Sequence, residues 1–530
     1  MSQKAGAASS SSFDSEAKAS LTDWIAVLAG ALGALMASLD ISITNSALPQ
    51  IQGEIGASGT EGTWIGTGYL VSEVVMIPLT AWFTRLFGLR RFLLISAILF
   101  TGFSIMCGLA NTLPQMIIGR VGQGFTGGAL IPTAQTIIAT RLPRKQMAVG
   151  MSIFGLIVLL GPLLGPLVGG WLAENVSWKW CFFLNLPISA ALVTLLLVGL
   201  PKEKGNIGLL ATTDRFGIIG MTVGLSSLTV VLEEGQRERW FESHLIIMLT
   251  ISTVLGLAVL AITQFTARDP VIKLRLLANR AYASVVFIIL VIGAALYGIL
   301  YIIPQFLAAI AGYNAEQSGM VMLVSGLPAF LMMPILPQMI SRVNVRVLVG
   351  AGLVCFAVSC FLDVHLTPQS SGGDFTYSQL LRGMGQVLVM MPLNQASLAA
   401  VGRENAGDAA GIYNMARNLG GSVGLALLGL LIDRRSTMHA DVIAESVTAN
   451  SPLAQERIAG SAANFASHYG DMAYGQLQAL RQLSAQIQQQ AMVMTYSECF
   501  WLLGVAMIIV MPLIFLLRQP DMRDSPMAAH

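Results

Sequence analysis

Long apolar stretches follow one another along most of the 530-residue chain, and short polar segments separate them. A bilayer core about 30 Å thick is crossed by about 20 mainly apolar helical residues. Fourteen stretches meet this requirement, at roughly 24–46, 62–84, 91–110, 114–139, 147–172, 178–200, 215–234, 243–265, 281–311, 317–340, 346–364, 377–401, 409–433 and 495–517. The pattern therefore predicts an all-α integral membrane protein with fourteen transmembrane helices.

The composition agrees with this pattern. Hydrophobic residues make up 55% of the chain and charged residues only 11%, whereas a soluble domain has about 25% charged residues. Mean hydropathy is +0.70. A soluble protein of this length could not bury so much apolar surface, so the surplus must face lipid.

The basic residues indicate how the chain is threaded through the membrane. An even number of helices places both termini on one side, and cytoplasmic loops carry an excess of Lys and Arg. Most of the 30 basic residues fall in cytoplasmic segments if the N-terminus is inside. Residues 1–20 are polar and serine-rich, without the apolar run of a signal peptide. We therefore expect a disordered cytoplasmic tail at 1–20 and a second cytoplasmic tail at 519–530.

Short motifs recur in the same order in the two ends of the chain. The matching pairs are 48–50 with 303–305, Arg85…Arg90 with Arg342…Arg346, Arg120 with Arg382, and Pro132-x-x-Gln135 with Pro392-x-x-Gln395. Transporters often consist of two such related halves, with the substrate site between them near the midplane. We expect a six-helix bundle at 21–200, an inserted helix pair with linkers at 201–268, and a second six-helix bundle at 269–518.

One segment expected outside the membrane is much longer than the others. Residues 434–494, the expected periplasmic loop, separate the last two stretches of the second bundle. The end of this segment, Leu477 to Gln490, is rich in Gln, Leu and Ala and is expected to extend the last membrane helix outward. Two interpretations remain open, a solvated linker and a docking surface for another protein.

Ionisable groups at membrane depth are costly and are functional candidates by default. Asp40 lies late in the first stretch, Glu73 in the middle of the second and Arg120 in the fourth. Proton coupling requires a carboxyl that can be neutral or charged at working pH, and an arginine that cannot lose its proton requires acceptors nearby. We assign these three residues to proton coupling. A helix-packing hydrogen bond, an ion pair, or a counter-charge for a cationic substrate are the alternatives.

Other polar and aromatic residues at membrane depth are candidates for a substrate cavity. They are Asn45, Tyr69, Glu73, Gln123, Gln135, Tyr297, Tyr301, Gln305, Arg382, Gln386, Asn394, Asn414 and Arg417. The arginines among them could receive an organic acid, whereas Glu73 favours a cation. Glu233 and Glu234, at the end of the seventh stretch, are expected to be solvated. Because no metal-ligand cluster, phosphate loop or nucleophile constellation is present, we expect neither an enzyme nor a bound metal or cofactor.

Several motifs together resemble the major facilitator superfamily, in its fourteen-helix drug:proton antiporter branch, the EmrB/QacA family with its EmrB-like efflux pumps. The resembling segments are 39–49 in the first stretch, 81–91 after the second, 120–129 in the fourth and 161–170 in the fifth. The resemblance covers nearly the whole chain. It implies a fold of two six-helix bundles plus two inserted helices.

The resemblance also implies roles for particular residues. Asp40 and Arg120 would couple proton movement to the substrate cycle. Residues of the loop after the second stretch and of the Gly/Pro-rich fifth stretch would control the conformational change; they are Arg85, Gly88, Arg90, Arg91, Gly165, Pro166, Gly169 and Gly170. Arg85 replaces the usual acidic residue of the loop motif and Ala81 its first glycine, so a charge relay through that acid is not expected.

The function that follows is a proton-coupled antiporter, which exports amphipathic organic compounds across a bacterial inner membrane by alternating access. The proton gradient would drive it without a cofactor. The resemblance further implies a periplasmic adaptor protein, EmrA-like, and an outer-membrane channel as partners, with no nucleic acid involved. The alternative is a proton-linked facilitator or symporter of a specific organic solute such as an aromatic acid, against which the antiporter-type fifth stretch argues.

Overall fold

The computed structural model describes residues 19–58, 61–203, 205–267, 270–447, 451–469 and 471–518, and no strand occurs among them. The prediction of an all-α membrane protein is confirmed. Most of the two expected tails lies outside the described residues.

The N-terminal part of the chain contains eight of the helices of the described residues. They are α1 (Leu21–Ile55), α2 (Trp64–Phe87), α3 (Leu89–Gly108), α4 (Leu113–Gly127), α5 (Leu130–Arg141), α6 (Arg144–Asn175), α7 (Lys179–Phe183) and α8 (Asn185–Gly199). The first helix begins at a capping box of Ser20 and Asp23 and ends at Gly56, whose φ of 74° lies in the left-handed region.

The rest of the described chain continues in the same way. Its helices are α9 (Leu209–Thr212), α10 (Arg215–Glu234), α11 (His244–Thr266), α12 (Arg280–Ala309), α13 (Ala315–Leu323), α14 (Gly326–Met332), α15 (Leu336–Arg342), α16 (Val345–Leu362), α17 (Thr376–Val401), α18 (Ala406–Ser446), α19 (Pro452–Tyr469) and α20 (Met472–Val510).

The number of membrane spans stays a prediction. Within the described residues, 12 helices are long and apolar enough to cross a membrane, or up to 13 if the pair Glu316–Met332 and Leu336–Arg342, bent by 58°, is one span. The stretch predicted at 114–139 is divided into α4 and α5 around Gly128. A Cβ at Gly128 would lie 2.9 Å from the Glu73 carbonyl oxygen, so the division occurs where this chain segment packs tightly on α2.

Equivalent contacts recur in the two parts of the chain. Arg90 Nη1, at the start of α3, donates to the carbonyl of Leu200 just after α8 at 2.9 Å. Arg346 Nε, at the start of α16, donates to the carbonyl of Leu517 near the end of the described chain at 3.0 Å. Each arginine thus satisfies a carbonyl where the last long helix of its part ends, which suits the negative end of a helix dipole. The recurrence supports the internal repeat, and the domain boundaries remain a prediction.

The inserted helices α10 and α11 pack together through glycines. A Cβ at Gly256 would lie 2.7 Å from the Gly224 Cα and 2.8 Å from the Gly220 carbonyl oxygen. Such close backbone approach is how membrane helices associate in lipid. The pair also shares a buried apolar cluster with α2, α12 and α18, which includes Met221 and Leu260.

Two seams connect the N-terminal and C-terminal bundles. In the first, α18 runs along α2 and α5, and a Cβ at Gly411 would lie 3.3 Å from the Ile77 carbonyl oxygen. In the second, α6 faces α13 to α15 and α17, where a Cβ at Gly155 would lie 2.9 Å from the Met333 Cε. The core of the N-terminal bundle continues across this second seam into Leu336 and Met391.

The segment 434–494 is mostly helical. The membrane helix α18 continues to Ser446, α19 follows, and α20 begins at Met472 and runs on into the last span. Leu477 to Gln490 lie within α20, so the predicted helical extension is confirmed. Glu498 of α20 forms an ion pair with Arg435 Nε at 3.4 Å and contacts His439 Nε2 at 3.0 Å. These contacts fasten α20 to α18 where the two helices leave the apolar region.

Replacing Gly256 with leucine should force α10 and α11 apart, because a larger side chain has no space between the two backbones. Overpacking of this kind costs about 1–3 kcal/mol. The expected result is a lower midpoint of thermal unfolding in detergent. Gly102→Leu is the matched control, since a Cβ at Gly102 meets nothing within 4 Å. Equal midpoints for the two variants would contradict the close packing of the inserted pair.

Candidate functional site

A buried ion pair joins α1 to α4. Arg120 Nη1 lies 2.5 Å from Asp40 Oδ2, and the two side chains are 1% and 0% exposed. Such a pair persists away from water only if further hydrogen bonds satisfy the remaining atoms. The structure therefore brings together the two residues that carry the strongest expectation of proton coupling.

Two amides and a hydroxyl complete the surroundings of the Asp40 carboxylate. Gln123 Nε2 donates to Asp40 Oδ1 at 2.9 Å, and Asn185 Nδ2 donates to the same oxygen at 2.7 Å. Both amides also donate to Ser104 Oγ, at 2.7 and 2.9 Å. The carboxylate is thus held by groups from α3, α4 and α8.

The Arg120 guanidinium makes further contacts besides the one to Asp40. Its Nε donates to the Ile65 carbonyl at 3.2 Å, its Nη1 donates to Gln123 Oε1 at 3.0 Å, and it lies 4.4 Å from the centre of the Tyr69 ring. A cation over an aromatic face is stabilised when both are desolvated. The Tyr69 hydroxyl is buried and has no hydrogen-bond partner among the described residues.

A second polar cluster lies one turn further along α2. Glu73 is 4% exposed, and its carboxylate faces the Asn418 side chain of α18. Tyr297 of α12 donates its hydroxyl to Asn418 Oδ1 at 3.5 Å. The charge of Arg417, also on α18, acts on Glu73. Glu73 therefore lies where the N-terminal bundle meets the C-terminal bundle.

The Gly/Pro motif of the fifth stretch packs against the helix that carries Asp40. A Cβ at Gly161 would lie 3.0 Å from the Leu39 backbone nitrogen, and one at Gly169 would lie 3.0 Å from the Ile43 Cα. One at Gly165 would overlap Ser42. These glycines let α6 run along α1 at backbone distance. Gly170, which the resemblance grouped with them, has nothing within 4 Å of its Cβ position.

The family of this chain follows from its similarity to known proteins. Residues 30–425 match the family model described as the Major Facilitator Superfamily. The chain belongs to this superfamily. It is 31% identical to the colistin resistance protein EmrB of Acinetobacter baumannii, over 92% of this chain and 95% of that protein. It is 28% identical to the multidrug export protein EmrB of Escherichia coli K12, over 94% and 95%.

A solved structure agrees on the fold. The proton:xylose symporter XylE superposes on 93% of this chain and 95% of that one with a TM-score of 0.59, at 13% sequence identity. Membership of the superfamily confirms the expectation of a multi-pass membrane transporter rather than an enzyme.

The two bundles of this chain also meet through a hydrogen bond between two amide side chains. Asn414 Nδ2 of α18 donates to Gln135 Oε1 of α5 at 2.7 Å, and both side chains are buried. The Asn414 oxygen has no partner among the described residues. This contact lies on the same seam as Glu73 and Asn418.

The remaining cavity candidates are dispersed. Asn45, Tyr301 and Gln305 have exposed side chains, Gln386 is half-buried and Asn394 is buried. Arg382 is paired within its own bundle in this structure. It lies 2.6 Å from Asp363 Oδ2 and donates to Gln379 Oε1 at 2.9 Å, and is 3% exposed. Its Nε has no hydrogen-bond partner among the described residues, and its place in a substrate cavity stays a prediction.

The turn after α2 is held by the linker that follows α8. Gly88 has a φ of 80°, which favours glycine, and a Cβ there would lie 3.1 Å from the Glu203 carbonyl oxygen. Glu203 also accepts from Arg141 Nη2 at 2.7 Å. Arg91 is exposed, and the Arg85 carbonyl accepts from the Asn206 nitrogen at 3.2 Å. Arg90, as described above, closes the end of α8.

The expectation that Glu233 and Glu234 are solvated is wrong for Glu234, and Glu233 is half-buried. Glu234 is 3% exposed and accepts from Thr67 Oγ1 of α2 at 2.6 Å. Glu233 accepts from Ser422 Oγ of α18 at 2.7 Å. The end of α10 therefore lies between the two bundles rather than in water. Each of the two neighbouring glutamates accepts a hydrogen bond from a hydroxyl group there.

Asp40→Asn should destabilise the folded protein, because Arg120 would keep its charge without a carboxylate partner. Breaking a buried pair costs about 3–5 kcal/mol, whereas removing both members costs far less. The double variant Asp40→Asn/Arg120→Gln should therefore unfold at a higher temperature than Asp40→Asn alone, measured in detergent with the exposed substitution Glu238→Gln as control. A double variant that is less stable than either single one would argue against the pair.

Proposed function

We propose that the chain is a proton-coupled antiporter, which exports amphipathic organic compounds across the bacterial inner membrane by alternating access. The observation that carries the proposal is the buried Asp40–Arg120 pair with its shell of Gln123, Asn185 and Ser104. The export of drugs is supported by the similarity to proteins named for multidrug export and colistin resistance.

The contacts explain how one proton can act on the whole molecule. Protonation of Asp40 removes the charge that holds Arg120, so the link between α1 and α4 weakens. The same stretch of α1 lies at backbone distance from α6 at Gly161 and Gly165. Further along, α6 forms the second seam with the C-terminal bundle, where a Cβ at Gly319 would lie 3.7 Å from the Pro166 Cβ. A change at Asp40 is therefore transmitted to the surface along which the bundles move.

Glu73 is the second coupling group in this proposal. It faces α18 across the other seam, close to Arg417 and Asn418. A negative Glu73 would attract a cationic substrate, and a protonated Glu73 would release it. Substrate and proton would thus compete for the same carboxylate, which is the simplest way to obtain antiport.

Partners of the exporter would bind at the predicted outer side. The last part of α18, the helix α19 and the first part of α20 form a projection. Apolar side chains are exposed on it at Val442, Leu477 and Leu480. We propose that an EmrA-like periplasmic adaptor binds this projection and connects the transporter to an outer-membrane channel. A solvated linker is the competing interpretation of the same segment.

The second candidate function is a proton-linked facilitator or symporter of an organic acid. One observation favours it. Arg417 is half-buried, and its Nε has no hydrogen-bond partner among the described residues. A carboxylate substrate would satisfy that atom.

Transport in proteoliposomes with an imposed pH gradient distinguishes the two functions. Lumenal pH and ethidium uptake are followed together. The charge of ethidium is fixed, so ethidium itself carries no proton across the membrane. The antiporter predicts that ethidium causes proton movement in the opposite direction, and that Asp40→Asn abolishes this movement to the level of protein-free liposomes. Glu73→Gln should weaken coupling for ethidium more than for a fixed anion such as anilinonaphthalene sulfonate.

The control for these variants is Glu238→Gln, at an exposed carboxylate. Each protein is reconstituted after size-exclusion chromatography, so that only folded protein is compared. Ethidium transport that needs no gradient and remains intact in Asp40→Asn would contradict proton coupling and leave the facilitator as the better account.

A further inference from the structure

The inserted helix α10 reaches the region of Glu73. Glu233 accepts from Ser422 Oγ at 2.7 Å, and Ser422 is 6% exposed. Asn418, which faces Glu73, lies four residues earlier on α18. Residues four apart lie on the same face of a helix. Two carboxylates from different helices, one from the N-terminal bundle and one from the inserted pair, therefore share one polar stripe of α18.

Tyr297 of α12 lies between these two carboxylates. A Cβ at Gly421 would lie 2.8 Å from its ring, and its hydroxyl reaches Asn418 Oδ1 at 3.5 Å. The charges of Glu73, Glu233 and Arg417 all act on the Tyr297 hydroxyl. The stripe is thus one electrostatic unit rather than two separate contacts.

The charges facing this stripe do not balance. The charge of Arg120, which also acts on Glu73, is balanced by its own partner Asp40. With that pair set aside, Glu73, Glu233 and Glu234 are opposed by Arg417 on α18 and by Arg237, which lies 3.5 Å from Glu234. Three carboxylates against two arginines leave one negative charge in excess. Uncompensated charge at membrane depth is costly, and one bound proton removes the excess.

The stripe is connected to the Asp40 cluster through Tyr69. Tyr69 is 1% exposed, stacks on Arg120 and lies one turn before Glu73 on α2. Its hydroxyl has no partner among the described residues, and the charges of Glu73 and Asp40 both act on it. A hydroxyl without an acceptor therefore lies within electrostatic reach of both clusters.

We propose that Glu233 of the inserted helix binds a proton during the transport cycle, at the far end of a polar path that runs from Asp40 through Arg120, Tyr69, Glu73 and the Asn418–Ser422 stripe. The inference rests on the proposed proton-coupled transport. It gives the inserted pair α10–α11 a direct part in coupling. Glu234 has a different role, since its bonds to Thr67 and Thr63 fasten α10 to α2.

The number of protons exchanged per substrate tests this assignment. In proteoliposomes, the ethidium gradient that just stops net flux at a fixed pH gradient gives the stoichiometry and does not depend on how much protein is active. We expect Glu233→Gln to exchange one proton fewer per ethidium than the wild type, Glu233→Asp to restore the wild-type value, and Glu238→Gln to leave it unchanged.

A second readout does not require turnover. Protons released when ethidium binds to the purified protein in weakly buffered detergent are counted by pH indicator, and Glu233→Gln should release fewer than the wild type. Wild-type stoichiometry and wild-type proton release in Glu233→Gln would overturn the inference, even if Asp40→Asn abolishes coupling. Glu233 would then only connect α10 to α18 through its hydrogen bond with Ser422. A wild-type protein that moves no protons would instead overturn the proposed function, and this inference with it.

Discussion

The Asp40–Arg120 pair is the constraint on which the rest of this structure depends. A carboxylate and a guanidinium at membrane depth require each other, and the surplus hydrogen-bonding capacity of both requires further groups from neighbouring helices. Gln123, Asn185 and Ser104 provide these groups, so α1, α3, α4 and α8 are fixed around one charge pair. The same pair is the only link in this cluster that a single proton can break, since an arginine stays charged.

In the proposed mechanism, close backbone packing would turn this local event into a motion of the bundles. The glycines of α6 bring its backbone into direct contact with α1, with no side chains between them. A shift of α1 would therefore displace α6. On the opposite seam, α2, α10 and α18 meet through hydroxyls, amides and carboxylates. The two seams thus differ in chemistry: one is apolar and close-packed, the other is polar and titratable. That difference suits a molecule in which one seam transmits movement and the other senses protons or substrate.

The sequence predicted the helices, the internal repeat motifs and the two buried charges at Asp40 and Arg120, because each depends on a strong local signal, but it did not predict that these two residues pair. An isolated aspartate or arginine in an apolar stretch is conspicuous. Asn185 and Ser104 were not assigned to the site, since a single asparagine or serine is common in membrane helices and only the fold brings them to Asp40. Glu233 and Glu234 were misplaced for the opposite reason. They stand at a helix end, where solvation is the ordinary outcome, and only the position of α10 between the bundles buries Glu234 and half-buries Glu233. The partner of Arg382, Asp363, lies just beyond α16, where an acid is equally unremarkable.

If protonation of Asp40 changes how the bundles meet, a distance measured across the α6 seam should respond to pH. Spin labels at Leu167 of α6 and Met320 of α13, both exposed, report the separation of the bundles by pulsed electron paramagnetic resonance. We expect the distance distribution to shift between high and low pH in the wild type and no longer to respond to pH in Asp40→Asn. A variant that still shifts with pH as the wild type does would contradict it.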